Sequence, residues 1–127
     1  MKSKLMLNNT LILGGIGVWL FMALAGPVQA SVVTAWGYNS DEQCEIPAGC
    51  TDLVSVAGGY YHSLGLRADG TVVAWGGNGQ GQCDVPADAT NVIAVTAGRY
   101  HSVALTADGL VKAWGYNNSG QCTVPAE

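Results

Sequence analysis

The sequence predicts an all-β protein made of one repeated module, and three observations carry that prediction. A Trp-Gly pair recurs every 39 residues, and an Asn, a Gln-Cys pair and a Pro follow it at the same offset each time. The runs between these stretches are rich in β-branched residues, and no stretch after residue 30 has sustained helical spacing. A period of about 40 residues is typical of repeat architectures, whose units bury their apolar faces only against a neighbour. The three copies begin at Trp36, Trp75 and Trp114.

Each module is predicted to hold three or four short strands. Val-x-Ala precedes every repeated Trp, which gives the alternation of side chains that one strand face requires. Residues 53–57 and 92–96 are β-branched-rich, and each run ends at a glycine before a further short run. Asp69-Gly70 joins the runs of the second module, and Asp-Gly predicts a tight hairpin turn with positive φ at both central residues. Each module is therefore expected to be a meander.

A turn-rich loop follows each Trp-Gly pair and ends in Cys-x-x-Pro, where the proline excludes a central strand. Glu42 lies in the first loop at the position that Gly81 and Gly120 occupy in the other two. A different turn is therefore expected in the first loop.

Residues 1–30 are predicted to be a cleavable secretory signal peptide. Lys2 and Lys4 precede an apolar run at 11–25, which is shorter than the roughly 20 residues of a spanning helix. Gly26-Pro27 breaks the run shortly before Ala30, after which cleavage is expected. The alternative is a retained membrane anchor. Cleavage would leave residues 31–127 as the repeat region, in a secreted or periplasmic protein.

The charge of the chain argues against nucleic-acid binding. The net charge is −4, and loss of residues 1–30 would remove two lysines and no acidic residue, leaving −6. The remaining cations, Arg67, Arg99 and Lys112, are scattered, whereas nucleic-acid binding normally needs a basic stripe.

Catalysis has little support in the sequence. Ser63 and Ser102 follow His62 and His101 directly, but neighbouring side chains on a strand point to opposite faces. The histidines are therefore expected to hydrogen-bond a neighbouring repeat's backbone rather than to act as bases. There is no nucleophile elbow, phosphate loop or metalloprotease motif. We predict that the protein is not an enzyme.

One alternative keeps an enzymatic role open. Asp41, Glu42 and Glu45 lie together in one loop, and a hydrolase or lyase needs paired carboxylates at a shared site. A solvated turn explains the same three residues.

Positions that differ between copies are the better candidates for binding, because residues that match in every copy are explained by the fold that the copies share. Tyr60 aligns with Arg99, and Tyr38 and Tyr116 align with Gly77. Tyr and Arg dominate binding hot spots, and all of these positions fall in turns at strand ends. Tyr38, Tyr60, Arg99 and Tyr116 are the candidate partner-binding residues, with loop packing as the alternative. Tyr61 and Tyr100 are expected in the core.

The repeated residues carry a resemblance to a known family. Trp-Gly-x-Asn-x-x-Gly-Gln, a later Pro, Val-x-x-Gly-x-x-His-Ser and an Asp-Gly before the next Trp strand resemble the RCC1 repeat family in its short-period bacterial form. The likeness covers residues 31–127 and extends to secreted propellers of the β-lactamase inhibitor protein II type. It implies a β-propeller, in which loops at the two faces of the blades bind ligands.

The repeat count implies an incomplete propeller. About two and a half repeats are present, whereas a propeller has typically 4 to 8 blades. A fragment of a longer reading frame is favoured, then completion by a homo-oligomer, then an open stack. Head-to-tail closure would leave a gap, since the seam lacks strands equivalent to 53–66.

The propeller resemblance also bears on the four cysteines. Equivalent residues of different blades lie farther apart than the roughly 7 Å Cα limit for a disulfide, so Cys44, Cys83 and Cys122 are not expected to pair with one another. Cys50 is the additional cysteine, and a Cys44–Cys50 bridge is sterically allowed within one loop in an oxidising compartment. The alternative is that these are buried thiols. Their spacing does not match a zinc site, and no metal or cofactor is predicted.

Together these features predict a secreted, non-enzymatic binding module. Its propeller loops would recognise a protein or surface ligand, as an inhibitor does. The alternatives are a structural fragment of a larger cell-surface repeat protein and a propeller-based hydrolase or lyase.

Overall fold

The computed structural model describes residues 10–14 and 32–126, and these ranges contain eight strands and no helix. This confirms the all-β prediction. None of the described residues belongs to a helix with the length and apolar character of a membrane span. The strands are β1 (Thr10–Gly14), β2 (Val32–Trp36), β3 (Leu53–Gly58), β4 (His62–Arg67), β5 (Val72–Gly76), β6 (Val92–Ala97), β7 (His101–Thr106) and β8 (Val111–Gly115).

Two three-stranded antiparallel meanders form the body of the structure. β3, β4 and β5 make the first, here called blade 1, and β6, β7 and β8 make the second, blade 2. The registers match across the repeat: Ser63 pairs with Trp75 in blade 1, and Ser102 pairs with Trp114 in blade 2. Each blade therefore has three strands, within the three or four predicted for a module.

A third, two-stranded sheet precedes the blades. β1 runs parallel to β2, with Thr10 opposite Val32 and Gly14 opposite Trp36. β1 falls within the predicted signal peptide, whose other residues lie outside the described ranges. Cleavage after Ala30 stays a prediction.

Both Asp-Gly hairpins form, but the predicted turn geometry is wrong. Only the glycines have positive φ, 81° at Gly70 and 87° at Gly109, while Asp69 does not. The amide of Gly70 donates to the Arg67 carbonyl at 3.0 Å, and the amide of Arg67 donates to the Thr71 carbonyl at 2.9 Å. Four residues thus separate β4 from β5, and this longer loop needs a left-handed residue only at its glycine.

The expectation of a different turn at Glu42 is also wrong. Glu42 has a φ of 61°, close to 75° at Gly81 and 78° at Gly120. The following bond is the same as well: the Glu45 amide donates to the Glu42 carbonyl at 2.9 Å, and the Asp84 amide to the Gly81 carbonyl at 3.1 Å. The repeat imposes one loop conformation, and Glu42 adopts a backbone region that disfavours side chains.

The core lies between the sheets. Leu64 and Leu66 of blade 1 pack with Val92, Ala104 and Trp114 of blade 2 in one buried cluster. A second cluster on the other face of blade 1 contains Leu53, Val56, Trp75 and Cys50. Trp75 and Trp114 are each 7% exposed, whereas Trp36 is 50% exposed. Burial of each repeated tryptophan thus depends on the loop of the module before it.

Candidate functional site

The joint between the blades is built on a main-chain carbonyl. The Gln82 carbonyl accepts a hydrogen bond from the Trp114 indole at 2.9 Å and another from the Ser102 hydroxyl at 2.7 Å. The equivalent residues one module earlier make the same two bonds to the carbonyl of Gln43. Two side chains of each blade are therefore anchored to the loop that precedes it, which holds adjacent modules in a fixed relation.

Two glycines shape the turns at one end of this joint. A Cβ on Gly59 would lie 2.6 Å from the His62 ring, and a Cβ on Gly98 would collide with the His101 ring. The Tyr60 amide donates to the Gly98 carbonyl at 3.3 Å, a bond that links the turn of blade 1 to that of blade 2. The side chains that follow the glycines are thereby brought next to each other.

Four tyrosines and one arginine meet at this end of the joint, and we call them the Tyr–Arg cluster. Its members are Tyr60, Tyr61, Arg99, Tyr100 and Tyr116. The Tyr61 and Tyr100 rings stack with centroids 5.0 Å apart and planes 16° apart. Tyr60 lies 4.6 Å from Tyr61, and Tyr116 lies 6.2 Å from Tyr100. The cluster spans both blades and depends on their packing.

The Arg99 guanidinium lies over the aromatic rings. Its Cζ is 5.1 Å from the centroid of Tyr60, 5.2 Å from that of Tyr100 and 6.0 Å from that of Tyr61. Contacts of this length are in the range of cation–π attraction. Tyr60 remains 54% exposed, and Arg99 is exposed as well. The result is a cation held in place at the surface.

Two phenols of the cluster, Tyr61 and Tyr100, influence each other's pKa. The nearby Tyr100 hydroxyl and Arg99 guanidinium lower the pKa of Tyr61. The Tyr61 hydroxyl in turn raises the pKa of Tyr100, because its oxygen favours the protonated form of that phenol. Interaction with the Tyr61 oxygen raises the pKa of Arg99, so its charge persists throughout the accessible pH range.

Three of the four predicted partner-binding residues come together here. Tyr60, Arg99 and Tyr116 are members of the cluster, whereas Tyr38 is 61% exposed and makes none of its ring contacts among the described residues. The prediction of Tyr61 and Tyr100 as core residues is wrong, since both are only half-buried. The two residues are equivalent in the two copies and stack on each other, so a comparison of the copies did not single them out.

The histidine and serine of successive modules form a buried contact. His62 Nε2 lies 2.9 Å from Ser102 Oγ, and Ser102 donates its own proton to the Gln82 carbonyl. Nε2 of His62 is therefore the donor, and Nδ1 is buried without a hydrogen-bond partner among the described residues. The bond does cross to the neighbouring blade, as predicted, but to a side chain rather than to the backbone.

Burial keeps His62 and Ser102 out of contact with any substrate in solution. His62 and Ser102 are each 0% exposed. Burial, with a contribution from the charge of His101, lowers the pKa of His62 to about 4. A neutral imidazole whose donor is committed to a buried hydroxyl holds two blades together.

The carboxylates of the first loop are engaged in loop structure. Glu45 accepts a hydrogen bond from the Asn39 amide at 2.9 Å, and Asp41 accepts one from the Ser40 hydroxyl at 2.7 Å. Glu42 holds the left-handed turn position. Within the described residues, no three His, Cys, Asp or Glu side chains are grouped closely enough to bind a metal ion.

The four thiols are free in the structure. Three of them occupy one repeated position, where each Sγ contacts the carbonyl six residues earlier, as Cys83 does with Gly77 at 3.4 Å. Burial raises the pKa of Cys83 to about 11, with a contribution from Asp84. Cys50 is buried beside Arg67. The Cys44–Cys50 disulfide stays a prediction.

A cleft lies around the Asp108-Gly109 turn, at the end of blade 2 opposite the Tyr–Arg cluster. Lys112 pairs with Asp88 across it at 2.6 Å, and this carboxylate has a lowered pKa because Lys112 donates to it. The cleft thus holds its own counter-ion, unlike the Tyr–Arg cluster.

Comparison with known proteins identifies the modules. The sequence model of one protein family, the regulator of chromosome condensation (RCC1) repeat, matches residues 53–82 and 92–121. Among curated protein sequences, none matches this chain significantly.

Solved structures contain the same arrangement. Prp20p from Saccharomyces cerevisiae is 31% identical over 57% of this chain and 20% of its own, with a TM-score of 0.53. The ectodomain of the receptor kinase CR4 from Physcomitrella patens is 29% identical over 59% of this chain and 21% of its own, with a TM-score of 0.52. The chain therefore spans about a fifth of the length of these proteins.

A human protein extends the likeness in fold. WBSCR16 is 24% identical over 71% of this chain and 31% of its own, with a TM-score of 0.57. The repeat matches and these structures agree with the two meanders of the fold. Residues 53–82 and 92–121 thus match two adjacent RCC1 repeats, and they fold as two blades of the β-propeller type.

Proposed function

We propose that this protein is a secreted, non-enzymatic binding module that recognises a partner protein through its Tyr–Arg cluster. The observation that carries the proposal is the Arg99 guanidinium, which lies over the rings of Tyr60 and Tyr100 at an exposed site. Tyr and Arg are the residues most enriched among binding hot spots, because they combine large apolar area with directed hydrogen bonds.

The similar structures support a protein partner. Prp20p is described together with its binding of Gsp1p and histones. That property belongs to a protein of which this chain spans a fifth, so it suggests the kind of partner and not its identity. Export rests on the predicted signal peptide, and the mass of the mature N-terminus from an exporting host would test it.

Affinity capture with matched variants tests the proposal. The full chain, Tyr60→Ala and Arg99→Ala would each be immobilised against the extracellular and surface fractions of the source cells. Leu110→Ala is the control, since Leu110 is 53% exposed, about as much as Tyr60, and lies at the opposite end of blade 2. Circular dichroism would verify that each variant is folded.

The expected result is one captured protein that both cluster variants lose and the control retains. Its purified form should bind the variants at least about tenfold more weakly, a difference of about 1.4 kcal/mol. Equal capture by Arg99→Ala and by the unmodified chain would refute the role of the cluster.

A second candidate function is structural, as part of a larger repeat assembly. It is favoured by Trp36, which is 50% exposed where its two repeat equivalents are 7% exposed. The mass of the purified full chain, measured by light scattering, tests this role. A discrete oligomer would support self-completion of the propeller, and a monomer would direct attention to a longer chain.

A further inference from the structure

We infer that the Tyr–Arg cluster is a receptor for a carboxylate, supplied by an acidic side chain of the partner polypeptide. The inference rests on the proposed function and adds the chemistry of the partner. It is carried by the charge balance of the described residues, by the way Arg99 is held and by the surfaces already in use within the cluster.

Arg99 differs from the other described cationic side chains in having no ion pair. Three cationic side chains, Arg67, Arg99 and Lys112, lie in residues 10–14 and 32–126. Arg67 pairs with Asp52 at 3.1 Å, and Lys112 pairs with Asp88 at 2.6 Å. Arg99 has no ion pair within the described ranges, although the chain contains nine acidic residues. The cluster therefore presents a positive charge that no described carboxylate neutralises.

The aromatic contacts hold Arg99 in advance of binding. Its Cζ lies almost equally far from the ring centroids of Tyr60 and Tyr100, at 5.1 and 5.2 Å. A free arginine loses rotamer entropy when it binds, whereas a guanidinium that already contacts two rings loses less. The planar fork of donors matches the two oxygens of a carboxylate, so the free N–H groups are suited to a bidentate bond.

The ring surfaces favour an anion over a sugar or an aromatic partner. Tyr61 and Tyr100 stack on each other, and Arg99 covers Tyr60, so three of the rings already have a partner. A stacking ligand would have to displace these contacts. The Tyr60 hydroxyl and the remaining N–H groups of the guanidinium instead offer donors to an acceptor without displacing these contacts.

Asp41 limits the direction of approach. A Cβ on Gly77 would lie 3.3 Å from Asp41 Oδ1 and 3.1 Å from the Tyr61 carbonyl, which places this carboxylate on the Tyr61 side of the cluster. Its charge repels an anion arriving there. The carboxylate of the partner is therefore expected to approach Arg99 from the side of Tyr60.

Peptide titration of the 15N-labelled full chain tests the inference. The probe is a blocked pentapeptide, Gly-Glu-Gly-Glu-Gly, with Gly-Gln-Gly-Gln-Gly as its neutral match. The Nε–H signal of Arg99 and the amides of Tyr60 and Tyr100 would be followed by NMR. The expected result is a saturable shift with the Glu peptide, at least about tenfold weaker with the Gln peptide and weakened by salt.

Three variants localise the effect. Arg99→Gln should abolish the saturable shift, and Arg99→Lys, which keeps the charge but loses the fork, should weaken it by several-fold. Arg67→Gln is the matched control, because it removes a cation that is already ion-paired. Asp41→Asn should strengthen binding about twofold, since it removes a repulsive charge. The comparison of the two peptides on the unmodified chain needs no variant to fold.

Equal binding of the two peptides, no saturable shift at millimolar peptide, or equal loss in Arg67→Gln would each overturn the inference. These failures are distinct from failure of the proposed function. One such outcome is capture of a partner that depends on Tyr60 and Arg99 and yet resists displacement by the Glu peptide. That outcome would support the proposed binding function and refute only the carboxylate as the group that is recognised.

Discussion

His62 of blade 1 donates a buried hydrogen bond of 2.9 Å to Ser102 of blade 2, and neither side chain is exposed. The Ser102 hydroxyl donates to the Gln82 carbonyl, which also accepts a hydrogen bond from the Trp114 indole. Side chains from three separate segments therefore converge on one junction. The Tyr–Arg cluster lies at the end of this junction, so the stability of the joint and the geometry of the site are linked.

Acid should weaken the joint through His62. The folded state holds the pKa of His62 at about 4, below its ordinary value of 6.5, so the unfolded chain binds the extra proton between these values. The stabilisation is complete above pH 6.5 and is lost as the pH falls towards 4, by about 3 kcal/mol at most. Urea unfolding at pH 7, 5.5 and 4 measures this loss.

His62→Gln should flatten this pH dependence. His101→Gln, which changes the equivalent residue of the next module, is the control and should retain most of the slope, because burial contributes more than the charge of His101 to the lowered pKa of His62. An unchanged slope in His62→Gln would show that carboxylates alone cause the acid sensitivity.

Glu42→Gly should stabilise the protein. Glu42 adopts a φ of 61°, which glycine tolerates without strain, so the variant should gain about 1 kcal/mol in the free energy of unfolding despite the greater freedom of glycine when unfolded. Chemical denaturation measures the change. Glu42→Ala is the matched control and should gain nothing, because alanine has the same left-handed penalty. A gain as large in Glu42→Ala would mean that charge, and not backbone strain, is the cause.

The repeated tryptophans should differ in their effect on stability. Trp114→Phe removes the indole that donates to the Gln82 carbonyl at 2.9 Å and should cost about 1–3 kcal/mol. Trp36→Phe changes a half-exposed side chain and should stay within about 0.5 kcal/mol. Equal losses in the two unfolding curves would contradict the role assigned to the carbonyl joint.

Cys83 should react slowly with iodoacetamide in the folded protein. Its pKa of about 11 leaves little thiolate at pH 8, because burial disfavours the charged form. Peptide mass spectrometry of timed samples measures the rate, and labelling in urea is the control, in which the reaction should accelerate. Equal rates with and without urea would show that the thiol is accessible in the fold.

The predicted Cys44–Cys50 disulfide needs a different measurement. Non-reducing peptide mapping of protein exported from cells would detect the linked peptides, which carry two fewer hydrogens than the free pair. Free thiols at both positions in exported protein would refute the bridge.

Sequence comparison between copies predicted part of the candidate site. Tyr60 and Arg99 differ from each other at one repeat position, Tyr116 differs from Gly77 at another, and these residues were recognisable for that reason. Tyr61 and Tyr100 are the same in both copies, and their pairing is a contact between modules that a within-repeat pattern does not contain. Tyr38 shares its repeat position with Tyr116, yet only Tyr116 has a preceding module's tyrosine stack beside it.

The loops show the same division. The sequence difference at Glu42 predicted a different turn, but the hydrogen bonds of the repeated loop impose the conformation of Gly81 and Gly120. Tertiary context outweighed a local preference of the order of 1 kcal/mol. At the Asp-Gly hairpins, the residue pair predicted a turn and its position, while the loop length decided which turn it was.

By itself, the sequence determined the repeated module, its strands and its all-β architecture, because a 39-residue period and alternating side chains depend only on local order along the chain. The tertiary structure decided which residues of different modules meet. His62 reaches Ser102, and Arg99 reaches Tyr60, because two sheets pack face to face with one particular offset and twist. That offset is set by the buried side chains between the blades, and no spacing within one module encodes it.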